Sequence, residues 1–442
     1  MLRLWTMGAA IAPGTRPPSD DASAVDGPHP ALSRGASGSR RLSAAGSLYG
    51  RGAAESRRTV FDGADSAASS RTRRTRIGLL VVALAGACAT PPPPATPPPP
   101  PPPPPVVAAI EEPEEPPPPP PPSTWSEALE RFGGTCPAPF FTLTEPETRT
   151  VGGTPFTVHG SRWQRNGPPV RTLSIGVLGA VKDATPETRA NLKRAAAEFR
   201  KQKVDVVLAN GDLVGGTIED VVSVIDMIGA IFSRPVLVHP GNSEWLTRYQ
   251  EALTHASSRW PQIVDMNLVR EIEWSGIHLV SLPGYFNRRF LREGACHYGE
   301  EDLDALGEWI APYAERGEPV IVTAHGPPQG TGPHALDVIY DGDNVGDPQL
   351  TTLLEDNAVA FGIFSHILEA GGRALAALDA PAALPLPQKK PTTQLYVNVG
   401  ASTAFPWPMH GGKTSRGMAA VYRVERRVDG TTTAKVTFVR LR

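Results

Sequence analysis

Short unbroken apolar runs, spaced by segments of helical periodicity, begin at Thr172 and continue to the C-terminus of this 442-residue chain. Thr172–Leu178, Val204–Ala209, Pro235–His239, Ile277–Leu282, Pro319–Thr323, Val359–Phe364 and Gln394–Val399 read as strands covered on both faces, since neither parity of position is polar. Pro186–Lys203, Ile218–Phe232 and Glu301–Glu315 carry apolar residues at helical spacing, and Met418–Val424 with Thr432–Arg440 alternates like a terminal hairpin. Buried strands alternating with helices predict an α/β domain over residues 171–442. Residues 124–170 hold turn formers and short apolar pieces such as Phe140-Phe-Thr-Leu143, and are expected to form an irregular lead-in.

Before residue 124 the pattern is absent. Residues 1–70 are rich in Ala, Gly, Ser and Arg and read either as a disordered extension or as residues upstream of the true start. Residues 71–88 place Arg71, Arg73, Arg74 and Arg76 before the apolar run Ile77–Ala87, the layout of a secretory signal. The run is too short for a bilayer, which takes about 20 residues. Its end, Leu84-Ala-Gly-Ala-Cys88, resembles the lipobox of bacterial lipoproteins, which would make Cys88 the lipidated residue; an apolar segment with an incidental cysteine is the alternative. Residues 89–123 form a proline-rich linker. Polyproline II at about 3.1 Å per residue would let it reach on the order of 100 Å, a stalk lifting the domain from a membrane. These features together predict a bacterial cell-envelope protein, lipid-anchored and facing the periplasm or the surface.

Composition narrows the partners. A formal net charge of −2 supplies no field for nucleic acid. The three cysteines, Cys88, Cys136 and Cys296, form no CxxC pair, so a structural zinc knuckle is not expected. Cys136 and Cys296 could pair in an oxidising compartment, and spacing alone leaves that open.

In α/β folds, ligands collect at the loops leaving the carboxyl ends of strands. Here those loops carry Asn210-Gly-Asp212, Pro240-Gly-Asn-Ser-Glu244, Ala324-His-Gly326 and Ser365-His-Ile-Leu-Glu369. One carboxylate, one amide and two imidazoles at successive strand ends are a donor set suited to a divalent metal. Lys182 or Asp183 could lend a charge or a base nearby, or belong to a solvated loop. Gly284-Tyr-Phe-Asn-Arg-Arg289 could line a pocket or lie on the surface, and His410 is a weaker candidate ligand.

The order of these loops resembles the calcineurin-like metallophosphoesterases, whose signature runs D-x-H, G-D, G-N-H-E, H, then G-H-x-H. The resemblance covers about 270 residues and implies a four-layer α/β/β/α sandwich. Members of that family hold two metals about 3.5–4 Å apart, and a hydroxide between them attacks phosphorus in line. Matched motif by motif, Asp212 falls on the bridging carboxylate, and Asn242, His325 and His366 fall on the ligands of the second metal. The remaining motif positions have changed. The D-x-H slot reads Gly179-Ala-Val181, the last histidine of G-H-x-H is Leu368, and the histidine of G-N-H-E is Ser243. The resemblance therefore implies one divalent metal (Mn, Fe or Zn) at Asp212, Asn242, His325 and His366. Its activity would be hydrolysis of phosphate esters, with a phosphorylated small molecule or an envelope component as ligand. The alternative is a catalytically inactive, partner-binding domain.

Overall fold

The structure is a computed structural model that describes residues 119–214 and 220–442. The extension, the signal-like segment, Cys88 and nearly all of the proline-rich linker lie outside the described residues.

Two sheets form the middle of the molecule. One has six strands, in the spatial order Thr432–Arg440, Met418–Arg426, Thr172–Leu178, Val206–Asn210, Val236–His239, Ile263–Asp265. From Thr172–Leu178 onward its strands run parallel, while the C-terminal hairpin joins antiparallel through Met418–Arg426. The other sheet has nine strands, with His278–Leu282, Val320–Ala324, Phe361–Phe364 and Leu395–Asn398 as its parallel centre.

Alternation along the strands explains the layers. Val206 and Leu208 join Leu279, Ile321, Ile363 and Val397 in a core between the sheets. Their neighbours Val207 and Ala209 face the other way, onto Leu192, Phe199, Ile225 and Tyr249 of the helices Pro186–Lys201, Asp220–Ile231 and Leu246–Arg259. The second sheet repeats this arrangement. Val320 and Val322 pack with Leu303, Leu306, Ile310, Leu350 and Leu354 from the helices Glu300–Glu315 and Pro348–Asp356. The order is thus helices, sheet, sheet, helices: a four-layer α/β/β/α sandwich. Strands buried on both faces need apolar residues at both parities, which is the run seen in the sequence.

Helix starts are chemically marked. Thr185 accepts from Thr188 N ahead of Pro186, and Asp347 accepts from Gln349 N ahead of Pro348. The helix Leu246–Arg259 lacks such a side-chain cap, and it, Pro348–Asp356 and Trp125–Phe132 all escaped the periodicity reading. The lead-in is also more regular than expected. After the helix Trp125–Phe132, the strands Thr142–Val151, Thr154–Gly160 and Arg162–Arg165 form a meander that joins the nine-stranded sheet where Arg162–Arg165 pairs with Glu271–Glu273. Polar residues on the outer face hid its alternation: in Thr154–Gly160 only every second residue is buried.

Cys136 and Cys296, left open by the sequence, form a disulfide with their Cα atoms 5.3 Å apart. It ties the lead-in to the loop that follows His278–Leu282, where Cys296 O accepts from Tyr285 N at 3.1 Å. Among the described residues no helix is long and apolar enough to cross a membrane.

Candidate metal centre

Four parallel strands, two from each sheet, end at one place. Asp212 follows Val206–Asn210, Asn242 follows Val236–His239, His325 follows Val320–Ala324 and His366 follows Phe361–Phe364. Ligand atoms of Asp212, His325 and His366 all lie within 4.8 Å of one another. Asn242 joins them, its Oδ1 standing 3.1 Å from His325 Nε2. The sequence-derived ligand set is thus brought together in full. Gly241 is required for this approach, because a Cβ there would stand 2.7 Å from Asp212 N and 2.8 Å from His325 Nε2.

Each donor is held in place. His325 Nδ1 faces Asn210 O at 2.9 Å, a carbonyl that can only accept, so the proton belongs on Nδ1 and the lone pair on Nε2. Asn242 Nδ2 donates to Phe290 O at 2.7 Å, which turns Oδ1 toward the cluster. His366 Nδ1 lies 3.1 Å and Asp212 Oδ1 3.5 Å from His325 Nε2. With its lone pair on Nε2, His325 faces the acceptor Asn242 Oδ1 at 3.1 Å, a contact that a divalent cation held by these atoms would resolve. The backbone is strained to achieve it: φ is +54° at Asp212 and +49° at His366. Left-handed geometry at a non-glycine residue costs about 1–3 kcal/mol and gathers at functional sites.

The electrostatics agree with a ligand role. Burial by itself would raise the Asp212 carboxyl, but the Lys182 ammonium leads the interactions that hold the group well below the usual carboxylate range. Desolvation by burial pushes His366 down to about 3, so its imidazole is neutral at ordinary pH. Glu244 is raised by its burial and by Asp212. It accepts from Gly241 N at 2.7 Å and Val214 N at 3.2 Å, which clamps the Asn242 loop against the Asp212 loop.

The other positions of the signature are taken up by apolar packing. Gly179 cannot carry the family's aspartate without backbone movement, because a Cβ there would overlap the carbonyl oxygen of Gly400. The chain beyond it pairs Ala180 with Ala401, and Ala180 O accepts from Ser402 N and Thr403 N. Ala180, Leu368 and Ala401 form an apolar cluster with Trp407 packed against it, and Val181 is fully buried. Ser243, in the histidine position, donates to Asp212 Oδ1 at 2.5 Å.

Lys182 lies in this half without belonging to a solvated loop. Its φ is +66°, and its ammonium is 2.5 Å from Asp212 Oδ2. Asp183 is a loop organiser: Thr185 Oγ1 and Thr403 Oγ1 donate to it at 2.5 and 2.8 Å. Tyr285 does line the site, its ring centroid 4.2 Å from that of His366, whereas Arg288 and Arg289 of the same segment are exposed. His410 faces Arg373 at 2.9 Å and takes no part in the cluster. Nothing local in the sequence marks Ala401 or Trp407, which arrive from more than 200 residues beyond Gly179.

Residues 173–370 match the family model of the calcineurin-like phosphoesterases. No curated protein matches the chain. Among solved structures, the chain is similar to a dimetal phosphatase from Danio rerio at 14% identity, covering 62% of this chain and 100% of that one with a TM-score of 0.39. It is likewise similar to the anchor protein of the Plasmodium inner membrane complex at 13% identity, covering 62% and 86% with a TM-score of 0.41. A Thermus thermophilus protein is also 13% identical, covering 62% and 100% with a TM-score of 0.39.

Proposed function

Because residues 173–370 form a calcineurin-like phosphoesterase domain, we propose that this chain is a single-metal hydrolase of phosphate esters at the cell envelope. The observation that carries the reading is the convergence of Asp212 Oδ1, Asn242 Oδ1, His325 Nε2 and His366 Nδ1 beside an apolar plug. Those four residues would hold one divalent ion, and Mn, Fe or Zn all suit a set of two imidazoles with carboxylate and amide oxygens. When bound, such an ion supplies Lewis acidity toward a phosphoryl oxygen. The protein's own contribution is positioning: Asn210 O fixes the His325 tautomer, Phe290 O fixes the Asn242 amide, and Glu244 holds the two loops together. Tyr285 walls the His366 side.

The envelope reading is supported by the Cys136–Cys296 bond, since stable disulfides belong to oxidising compartments. The basic run, apolar run and Cys88 of the sequence point the same way. Cys88→Ala should release the protein from membranes on fractionation, and an unchanged distribution would contradict a lipid anchor.

A second reading, a catalytically silent domain that binds a metal and a phosphorylated partner, is favoured by Ser243 in place of the motif histidine and by the wall at Gly179. Metal analysis of the purified chain with a manganese-supplemented phosphodiester assay separates the two. One metal with turnover supports the hydrolase, one metal without turnover supports the silent domain, and no metal sinks both.

A further inference from the structure

The two oxygens of the Asp212 carboxylate serve two different neighbours. Oδ1 takes the Ser243 hydroxyl at 2.5 Å and faces His325 Nε2 at 3.5 Å. Oδ2 takes the Lys182 ammonium at 2.5 Å. A bridging carboxylate needs positive charge on both sides, and here the side that has lost its metal ligands carries a covalently tethered cation. We propose that the Lys182 ammonium is the oxyanion-binding group of this site, holding one oxygen of a phosphoryl group where a two-metal centre would use its other ion. This rests on the reading that the site takes phosphate esters.

Lys182 is placed for this in ways a surface lysine is not. Its backbone N donates to Asp212 O at 3.0 Å, and its left-handed φ of +66° aims the side chain from a strained position that only the surrounding contacts maintain. An ammonium has three donors. Among the described residues it has the one hydrogen-bond partner, Asp212 Oδ2, and its side chain is 22% exposed, so it keeps donors for an incoming anion. The carboxylate it holds is 2% exposed. Burial of that partner lowers the local dielectric and strengthens a charge-assisted hydrogen bond to a phosphoryl oxygen.

Calorimetric titration of the full chain with inorganic phosphate, with and without Mn²⁺, tests the assignment in the wild type, Lys182→Met and Lys182→Arg. The wild type should bind phosphate in both states and more tightly with Mn²⁺. Lys182→Met should lose at least about tenfold in phosphate affinity in both states, as expected for one charged hydrogen bond, and Lys182→Arg should recover part of it. Should Lys182→Met fail to fold because Asp212 is left uncompensated, the double variant Lys182→Met/Asp212→Asn removes both charges. It should still bind phosphate poorly, although losing a carboxylate would by itself favour an anion. Phosphate affinity equal to wild type in either variant, or no phosphate binding by the wild type, overturns the assignment. A wild type that takes no Mn²⁺ yet binds phosphate through Lys182 sinks the single-metal reading and keeps this one. One Mn²⁺ per chain with phosphate binding indifferent to Lys182 does the reverse.

Discussion

The two halves of the site share one carboxylate and are otherwise made of opposite materials. On one side, Asn242, His325 and His366 present lone pairs to a common point, each oriented by the backbone or by a packed ring. On the other, Gly179, Val181 and Leu368 stand where the signature has an aspartate and two histidines, and Ala180 and Ala401 pack beside them. Here the lost half is packed, hydrogen-bonded to the Ala401–Thr403 segment, and supplied with its own cation in Lys182. One side of Asp212 is thus a cluster of potential ligand atoms, and the other is apolar packing bordered by the Lys182 ammonium.

If the retained half is the metal centre, its ligands should be indispensable. His325→Ala should lower metal affinity by more than about 100-fold, since even outer partners of ligands are worth roughly 10–100-fold. Equilibrium dialysis with Mn²⁺ would measure it, and an unchanged affinity would dissolve the contrast between the halves. If the other half is a built plug, enlarging it should be costly. Gly179→Ala forces a Cβ into Gly400 O and should destabilise by about 3 kcal/mol in urea unfolding. For the same reason, reinstating the family residues together (Gly179→Asp, Val181→His, Leu368→His) should not restore a second metal, and a gain to two metals would show that the plug is only a veneer.

Much of this contrast was legible beforehand, and the reason is local. Asp212, Asn242, His325 and His366 each sit immediately after an apolar strand, next to glycine, proline or serine, so strand recognition and short motifs together located them. The vacated positions Gly179, Val181, Ser243 and Leu368 could be named in the same way. What replaced them could not. Gly400, Ala401 and Trp407 reach Gly179 and Ala180 through topology, the last strand of the parallel set lying beside Phe361–Phe364. Lys182 read as a loop residue because only the fold shows which carboxylate it meets. The meander at Thr142–Arg165 was missed because one face is polar and its burial comes from the edge of the large sheet.

Smaller effects sharpen the boundary between the halves. Leu368→Ala should cost about 2–3 kcal/mol by opening a cavity in the plug, with Mn²⁺ affinity little changed; a large fall in affinity would mean the halves are mechanically one. Asp183 gives the mildest test. Burial would raise its carboxyl, but the hydroxyls of Thr185, Thr188 and Thr403 hold it below its ordinary value of 3.8. A depressed folded-state value means that its contribution is present above that ordinary value and is lost as pH falls through the lower one. Thermal melts taken from about pH 5 downward should therefore show a shallower acid loss in Asp183→Asn than in the wild type, and parallel curves would remove Asp183 from the plug's supports.

The most direct test is anomalous scattering from crystals grown with Mn²⁺. The account predicts one peak per chain, within ligand distance of His325 Nε2, His366 Nδ1 and Asp212 Oδ1, with the Lys182 ammonium remaining on Oδ2. Two peaks about 3.5–4 Å apart, with Lys182 displaced from Asp212, would contradict it.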